Sequence, residues 1–249
     1  MILYFSATGN CKYVAEQIAE ATGNAAVSIE KRKRNIELGE DEMLGIVTPT
    51  YSWELPIIVR KFLEKMTVAG CRPSYVFVLA TYGTTPGAAG ADAAHILKKN
   101  GIVVDAKYSI QMPDTWTPIF DLSDPEQVHK QNDKAEEELR QVIQRIQNRE
   151  KGSFMKRAVP YPVRYVSDLM YSSMRETKNF FVEDTCIGCG LCAKKCPAKA
   201  IEMKDGKPVW VKGKCVMCLR CLHHCPKFAI QYGKNTKKHG QYKNPHVRV

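Results

Sequence analysis

Ile2-Leu3-Tyr4-Phe5-Ser6-Ala7-Thr8-Gly9-Asn10-Cys11 begins as an apolar run and turns into hydroxyls and a glycine. From Cys11 to Ala21 apolar residues fall at Val14, Ala15, Ile18 and Ala19, the spacing of one helix face. A strand, a tight turn and a helix in that order form a cradle for a phosphate. Backbone N–H groups and hydroxyls meet the anion at the positive end of the helix, and Gly9 lets the backbone come close to it. No Lys-Ser/Thr pair follows, and the spacing is not G-x-G-x-x-G, so neither an NTPase loop nor a dinucleotide fingerprint is present.

The alternation continues outward. Strands are predicted at residues 25–30, Met43–Thr48, Ser74–Thr81 and Ile102–Ile110. Helices are predicted at Pro56–Met66, with proline in the first turn, at Pro86–Asn100, and at Asp124–Glu150 behind the cap Ser123/Asp124 and Pro125. Such a βα order implies a parallel sheet with helices on both faces. Ligands of these sheets bind at the carboxyl ends of the strands. Three such ends stand out: residues 6–11, Pro49-Thr50-Tyr51-Ser52-Trp53, and Thr81-Tyr82-Gly83-Thr84. The first suits a phosphate, and the other two offer aromatics and backbone groups for a flat ring.

In these features residues 1–150 resemble a flavodoxin. The resemblance implies an α/β fold, a doubly wound parallel sheet of order 2-1-3-4-5, and FMN as cofactor. Its phosphate would lie at Ser6, Ala7, Thr8, Gly9, Asn10 and Cys11. The isoalloxazine would lie between Pro49, Thr50, Tyr51 and Trp53 on one side and Thr81, Tyr82, Gly83 and Thr84 on the other. Tyr51, Trp53 and Tyr82 are candidates to stack on the flavin; packing between loop and helix is the other role open to them. Cys11 departs from the family pattern, where a hydroxyl is usual. A thiol is a weak donor, so contact there would rest on the backbone N–H. Cys11 and Cys71 are both read as structural.

Near the other end stand two runs of one spacing, Cys186-x2-Cys189-x2-Cys192-x3-Cys196-Pro197 and Cys215-x2-Cys218-x2-Cys221-x3-Cys225-Pro226. They are offset by 29 residues, and the match extends beyond the thiols. Pro197-Ala198-Lys199-Ala200-Ile201 parallels Pro226-Lys227-Phe228-Ala229-Ile230, and Val182 parallels Val211. Zinc favours two C-x2-C pairs or pairs with histidine, a poor fit to two triples with Cys-Pro ends. A disulfide framework would need an oxidising compartment. The runs resemble the bacterial-type ferredoxin domain over residues 180–232, which implies a small α+β unit and two 4Fe-4S clusters. In that family the Cys-Pro cysteine of one run serves the cluster of the other. Carried over, Cys186, Cys189, Cys192 and Cys225 hold one cluster, and Cys215, Cys218, Cys221 and Cys196 the second. The first run has Gly188 between its first two cysteines where the second has Met217, which is expected to shield its cluster more.

The chain has 249 residues, 44% hydrophobic, and a net charge of +11. Residues 1–150 carry 17 Lys/Arg against 20 Asp/Glu, while residues 151–249 carry 20 against 6. A basic cluster-bearing half raises cluster potentials and predicts redox partner proteins with acidic docking surfaces. The cations are scattered and follow no nucleic-acid motif, so nucleic acid is not expected as a partner. No apolar run reaches the roughly 20 residues of a membrane helix. Residues 1–5 begin a strand at once, so no signal peptide is expected, and the thiols point to a reducing, anaerobic cytoplasm.

Residues 151–179 read as a linker, partly helical after Pro162, with Tyr165, Leu169, Met170 and Met174 near helical spacing. Packing one unit on the other is its expected role; contact with an anionic membrane surface is the alternative. Residues 233–249 read as a basic, mobile tail. The segment Met112–Phe120 is too long and apolar for a simple turn, and Trp116 is placed to cover the flavin edge or to face the cluster unit. His223 and His224, inside the second run, are positions from which protonation would tune a potential. No acid–base catalyst stands out.

The whole chain resembles the ferredoxin–flavodoxin fusion proteins. That resemblance implies an electron-transfer protein coupling two 4Fe-4S clusters to an FMN and shuttling low-potential electrons between partners. The alternative is a reductase passing electrons through FMN to a small organic acceptor such as a quinone. A redox sensor is a third reading.

Overall fold

The computed structural model describes residues 1–159 and 164–249, with backbone alone over residues 164–167. In chain order the first elements are β1 (Ile2–Tyr4), α1 (Asn10–Thr22), β2 (Ala26–Ser28), β3 (Asn35–Leu38), β4 (Leu44–Pro49), α2 (Ile57–Leu63), β5 (Thr67–Gly70) and β6 (Val76–Tyr82). Then come α3 (Ala89–Lys99), β7 (Ala106–Gln111), α4 (Pro125–Gln147), β8 (Gly152–Ser153) and α5 (Arg164–Met174). The last are β9 (Phe180–Val182), α6 (Leu191–Lys194), β10 (Ile201–Lys204), β11 (Lys207–Trp210), α7 (Arg220–His223), β12 (Ile230–Tyr232) and α8 (Thr236–His239).

The main sheet runs β2-β1-β4-β6-β7-β8, all parallel. Its first five strands keep the expected order 2-1-3-4-5, and the two-residue β8 adds an edge. β6 is buried at every position, as a central parallel strand covered on both faces should be. Its alternation sorts the core. Val76, Val78 and Ala80 face α2 and α3 with Leu3, Phe5 and Ile46. Phe77 and Leu79 face α1 and α4 with Ile2, Val47, Tyr108 and Ile110. Each fully buried Leu, Ile, Val or Phe contributes roughly 1.5–3 kcal/mol relative to an exposed one.

α4 starts where its cap chemistry places it: the Asp124 side chain accepts from the N–H groups of Glu126 and Gln127, and Pro125 occupies the first turn. The strand predicted over residues 102–110 begins only at Ala106. Asp105 is used instead to close the end of β6: its N–H donates to Val76 O, and its carboxylate accepts from Val76 N. The parallel pair β3–β5 was not predicted; it is a short outlying sheet over α2.

The C-terminal unit reproduces the repeat in space. β9 pairs antiparallel with β12, and β10 with β11. With the 29-residue offset, α6 overlays α7 and Ile201 overlays Ile230, so each half contributes a strand, a short helix and a strand. The linker helix is present as α5; Tyr161, Pro162 and the side chain of Tyr165 lie outside the described residues.

Residues 233–249 correct an expectation. They are not a loose tail but run back over α1 and α4. Tyr242 and Asn244 are buried; the Tyr242 hydroxyl donates to Asn10 Oδ1 at 2.8 Å, and its oxygen lies 2.9 Å from the side-chain amide of Asn132. Tyr13 stacks on His246, with centroids 4.8 Å apart. Polar composition alone concealed this, because the anchors are one tyrosine and one asparagine whose partners lie far away in sequence.

Candidate functional site

At the carboxyl end of the main sheet a cavity of about 490 Å³ opens between the two units, within the size range of ligand sites. Its first wall is the loop after β1. Ser6, Ala7, Thr8, Asn10 and Cys11 line it. Gly9 does not; its φ of +109° turns the chain into α1, and a Cβ there would stand 2.7 Å from Asn244 Cβ. The glycine therefore makes room for the C-terminal segment. Cys11 is buried, its Sγ lies 3.1 Å from Thr81 Oγ1, and burial pushes the thiol up to about 12. It stays a protonated packing group.

The second wall follows β4. Pro49, Thr50, Tyr51 and Trp53 line the cavity as anticipated, together with Ser52. Tyr51 and Glu54 exchange backbone hydrogen bonds of 3.0 and 3.1 Å around Ser52 and Trp53, whose φ values are +50° and +67°. Two left-handed central residues make this a type I′ turn. Neither is a glycine, and a tryptophan in that region stores strain of the kind that marks functional loops. Ala88 N donates to Trp53 O at 2.7 Å and holds the turn. Trp53 remains 46% exposed at the cavity mouth. The hydroxyls of Thr50 and Ser52 are buried without a hydrogen-bond partner. Buried polar groups are normally paired, and these two are exceptions at the cavity wall.

Thr81, Tyr82, Gly83 and Thr84 form the third wall, extended by Thr85. The 112–120 segment closes the next side, with Trp116, Ile119 and Phe120 in the lining. It is tied to the cluster unit. Trp116 packs on Tyr232 at 5.7 Å between centroids, and His223 Nε2 donates to Thr115 O at 2.9 Å. Trp116 thus takes both places open to it, cavity wall and domain joint.

The final wall comes from the second cysteine run. Met217, Cys218 and Leu219 line the same cavity as the loop after β1. Met217 and Leu219 have φ values of +58° and +51°; the equivalent positions of the first run are Gly188 and Gly190, at +65° and +68°. A left-handed non-glycine costs roughly 1–2 kcal/mol. The first run avoids that cost with glycines. The second accepts it and places two buried apolar side chains against the cavity.

The thiols form two sets. Cys186, Cys189, Cys192 and Cys225 border one small cavity with Pro226, and Cys196, Cys215, Cys218 and Cys221 border another with Pro197. The Cys-Pro cysteine of each run stands with the triple of the other. Four cysteines around each small cavity are the donor set that a four-iron cluster takes. Burial pushes the Cys215 thiol up to about 11 and Cys218 to about 12, so iron binding there must release protons. Cys189 is exposed and neighbouring Ile187 is 60% exposed.

His223 accepts from Tyr242 N at Nδ1 (3.1 Å) while donating from Nε2, and His224 Nε2 donates to Ala7 O at 3.0 Å. Burial pushes both rings down to about 4. An unanticipated group is Glu54. It is fully buried beside Arg60, whose Nη2 lies 2.5 Å from Glu54, 2.9 Å from Asp92 and 3.3 Å from Asp168 of α5. Burial, then Asp168, pushes its carboxyl up to about 9. Only the fold brings these four together, from α2, α3, α5 and the turn.

The flavodoxin domain family model matches residues 1–153, and a 4Fe-4S dicluster domain model matches residues 178–226. Among solved structures, the Flv1 flavodiiron core from Synechocystis sp. PCC6803 is similar at 16% identity and TM-score 0.36, over 58% of this chain and 36% of that one. A short-chain flavodoxin associated with a PDU bacterial microcompartment aligns at 14% identity and TM-score 0.36, over 57% of this chain and 96% of that one. Rubredoxin oxygen:oxidoreductase from Desulfovibrio gigas aligns at 15% identity and TM-score 0.34, over 56% of this chain and 35% of that one. No curated protein matches the chain. Among the described residues, no helix is long and apolar enough to cross a membrane.

Proposed function

This chain belongs to the flavodoxin domain family and carries a 4Fe-4S dicluster domain, a flavodoxin–ferredoxin fusion with a redox role, and from that premise we propose that it transfers electrons through two 4Fe-4S clusters and one FMN arranged in file. The observation that carries this reading is Cys218, a thiol of one set that also lines the cavity built by the phosphate loop and the two aromatic loops. When bound, iron–sulfur clusters supply one-electron steps and FMN one- or two-electron steps.

The chain's own residues define the order. Cys189 and Ile187 leave the set with Cys186, Cys192 and Cys225 open to a partner, so that set is distal. The set with Cys218 is proximal, set against the flavin cavity by Met217 and Leu219. Trp116 and Tyr171 exclude water from the joint between them. The surplus of cations after residue 150 favours partner proteins with acidic docking surfaces, and the iron-ligating thiols require a reducing compartment such as the cytoplasm.

One observation favours a second reading. Beyond the three flavin loops the cavity continues along Ile119, Phe120, Met170 and Met174, an apolar wall with Met170 41% exposed. A flat apolar acceptor of the quinone class fits that wall, which would make the protein a reductase.

The test is an anaerobic redox titration of the holoprotein followed by absorbance and EPR, with protein and small-molecule acceptors then offered to the reduced form. Titration of two clusters and a flavin, with rapid reoxidation by protein acceptors alone, is expected of the carrier. Rapid reoxidation by a quinone selects the reductase, and absence of a flavin signal overturns both.

A further inference from the structure

Three consecutive carbonyls of the loop after β1 are held by donors from the second cysteine run and the C-terminal segment. Arg220 Nη2 donates to Ser6 O at 2.6 Å, His224 Nε2 to Ala7 O at 3.0 Å, and the backbone N of Asn244 to Thr8 O at 2.8 Å. Asn10 is held by its side chain, whose oxygen accepts from the Tyr242 hydroxyl at 2.8 Å and from Asn244 Nδ2 at 3.2 Å. In a planar trans peptide the C=O and the following N–H point in opposite directions. Holding these carbonyls on their donors therefore turns the N–H groups of Ala7 and Thr8, two residues of the cavity lining, away from those donors.

The donors are themselves fixed. The Arg220 guanidinium is buried and grips Glu30, just beyond β2, through two contacts of 2.8 and 2.6 Å. It also donates to Lys195 O at 3.0 Å and lies over the Phe5 ring at 5.5 Å. Such bidentate, charge-assisted contacts are the strong and directional ones. Arg220 stands between Cys218 and Cys221, and His224 immediately precedes Cys225. Both donors thus belong to the second cysteine run, so the conformation of that run decides where they point.

We propose that the second cysteine run and the C-terminal segment are part of the phosphate-binding site, with Arg220, His224, Tyr242 and Asn244 as positioning residues that aim the loop's amides at the FMN phosphate. The proposal rests on the FMN reading above. FMN retention is then coupled to the integrity of the cluster unit, and by reciprocity bound FMN stabilises that unit. A chain that loses its clusters also releases its flavin, which separates this protein from a flavodoxin whose loop stands alone.

The experiment strips flavin anaerobically from the full-length, cluster-loaded protein and titrates it with FMN and with riboflavin, reading flavin fluorescence. Variants are Arg220→Gln, Arg220→Lys, His224→Phe and Tyr242→Phe, with exposed Lys199→Gln as the reference substitution. Loss of a charge-assisted bond to a buried carbonyl is expected to weaken FMN about tenfold or more in Arg220→Gln. Affinity for riboflavin, which lacks the phosphate, changes less than about twofold, and Arg220→Lys recovers part of the loss. Tyr242→Phe lies outside the cysteine run and weakens FMN about threefold or more with unchanged iron content, so the proposal stays testable if the run variants load iron poorly. Equal losses for FMN and riboflavin, or none for either, overturn it. Failure of the unaltered protein to bind FMN overturns the cofactor reading instead.

Discussion

The Tyr171 hydroxyl on α5 donates to Val216 O at 2.7 Å, between Cys215 and Cys218, and accepts from Ile57 N at 3.4 Å at the start of α2. One buried side chain therefore spans both units, and its ring lies 6.4 Å from that of Tyr51 in the second cavity loop. The linker is a joint, held again through Asp168 on Arg60. Tyr171→Phe keeps the packing and removes the hydroxyl. It is expected to lower stability by about 1 kcal/mol, the net worth of a buried hydrogen bond, in denaturant titrations of the holoprotein. An unchanged midpoint would show that the hydroxyl does not tie the units.

Met217 and Leu219 offer a contrast with Gly188 and Gly190. The double variant Met217→Gly/Leu219→Gly relieves left-handed strain of roughly 1–2 kcal/mol per residue while removing part of the cavity wall. Iron content should persist, because the run acquires the backbone of its partner. FMN and riboflavin should both bind about tenfold more weakly in fluorescence titrations. Undiminished flavin affinity would remove these side chains from the site.

The order of the file is tested with serine in place of single thiols. Cys218→Ser and Cys189→Ser are each expected to lose about four of about eight irons. In Cys218→Ser the flavin should no longer be reduced by a protein donor, although dithionite still reduces it directly. Stopped-flow traces with wild-type rates in Cys218→Ser would break the proposed sequence.

Trp116→Ala empties a position that is both cavity wall and contact with Tyr232. Flavin fluorescence should rise as the ring gains access to water, and internal electron transfer should slow. If neither changes, Trp116 has no gating role and is ordinary packing.

Glu54 sets a pH dependence. Its folded carboxyl is raised to about 9, far above the roughly 4.3 of an unfolded glutamate. Between those values the folded state holds a proton that the unfolded state has lost, so this contribution is full below about pH 4.3 and is lost progressively as pH rises to about 9. Glu54→Gln keeps an oxygen toward Arg60 and cannot ionise. Its thermal midpoint should fall less than that of the unaltered protein between pH 6 and 9. Parallel curves would mean that Glu54 is ionised in the fold.

Much of the architecture was legible because its signals are local. Strand, hydroxyl-rich turn and helix are consecutive over Ile2–Thr22, and the periodicity of α1, α3 and α4 is read within single windows. The thiol spacing and the 29-residue offset are likewise properties of the string. The parallel pair β3–β5 escaped because each strand is only four residues long: β3 alternates, with Ile36 and Leu38 buried, over too short a run to stand out, and β5 buries none of its residues.

What the amino-acid order determined by itself was therefore the set of parts: a phosphate-type loop, two aromatic loops, eight thiols in two runs, and a charge surplus after residue 150. What only the tertiary structure decided was their relation. It set Cys218 and Met217 on the cavity at the carboxyl end of the main sheet, turned Arg220, His224 and Asn244 onto the carbonyls of Ser6, Ala7 and Thr8, and folded a polar tail onto Asn10. The physical reason is that a backbone carbonyl or a buried hydroxyl has no sequence signature. It must find a donor wherever the chain returns, and the residues that answer here lie more than 200 positions away.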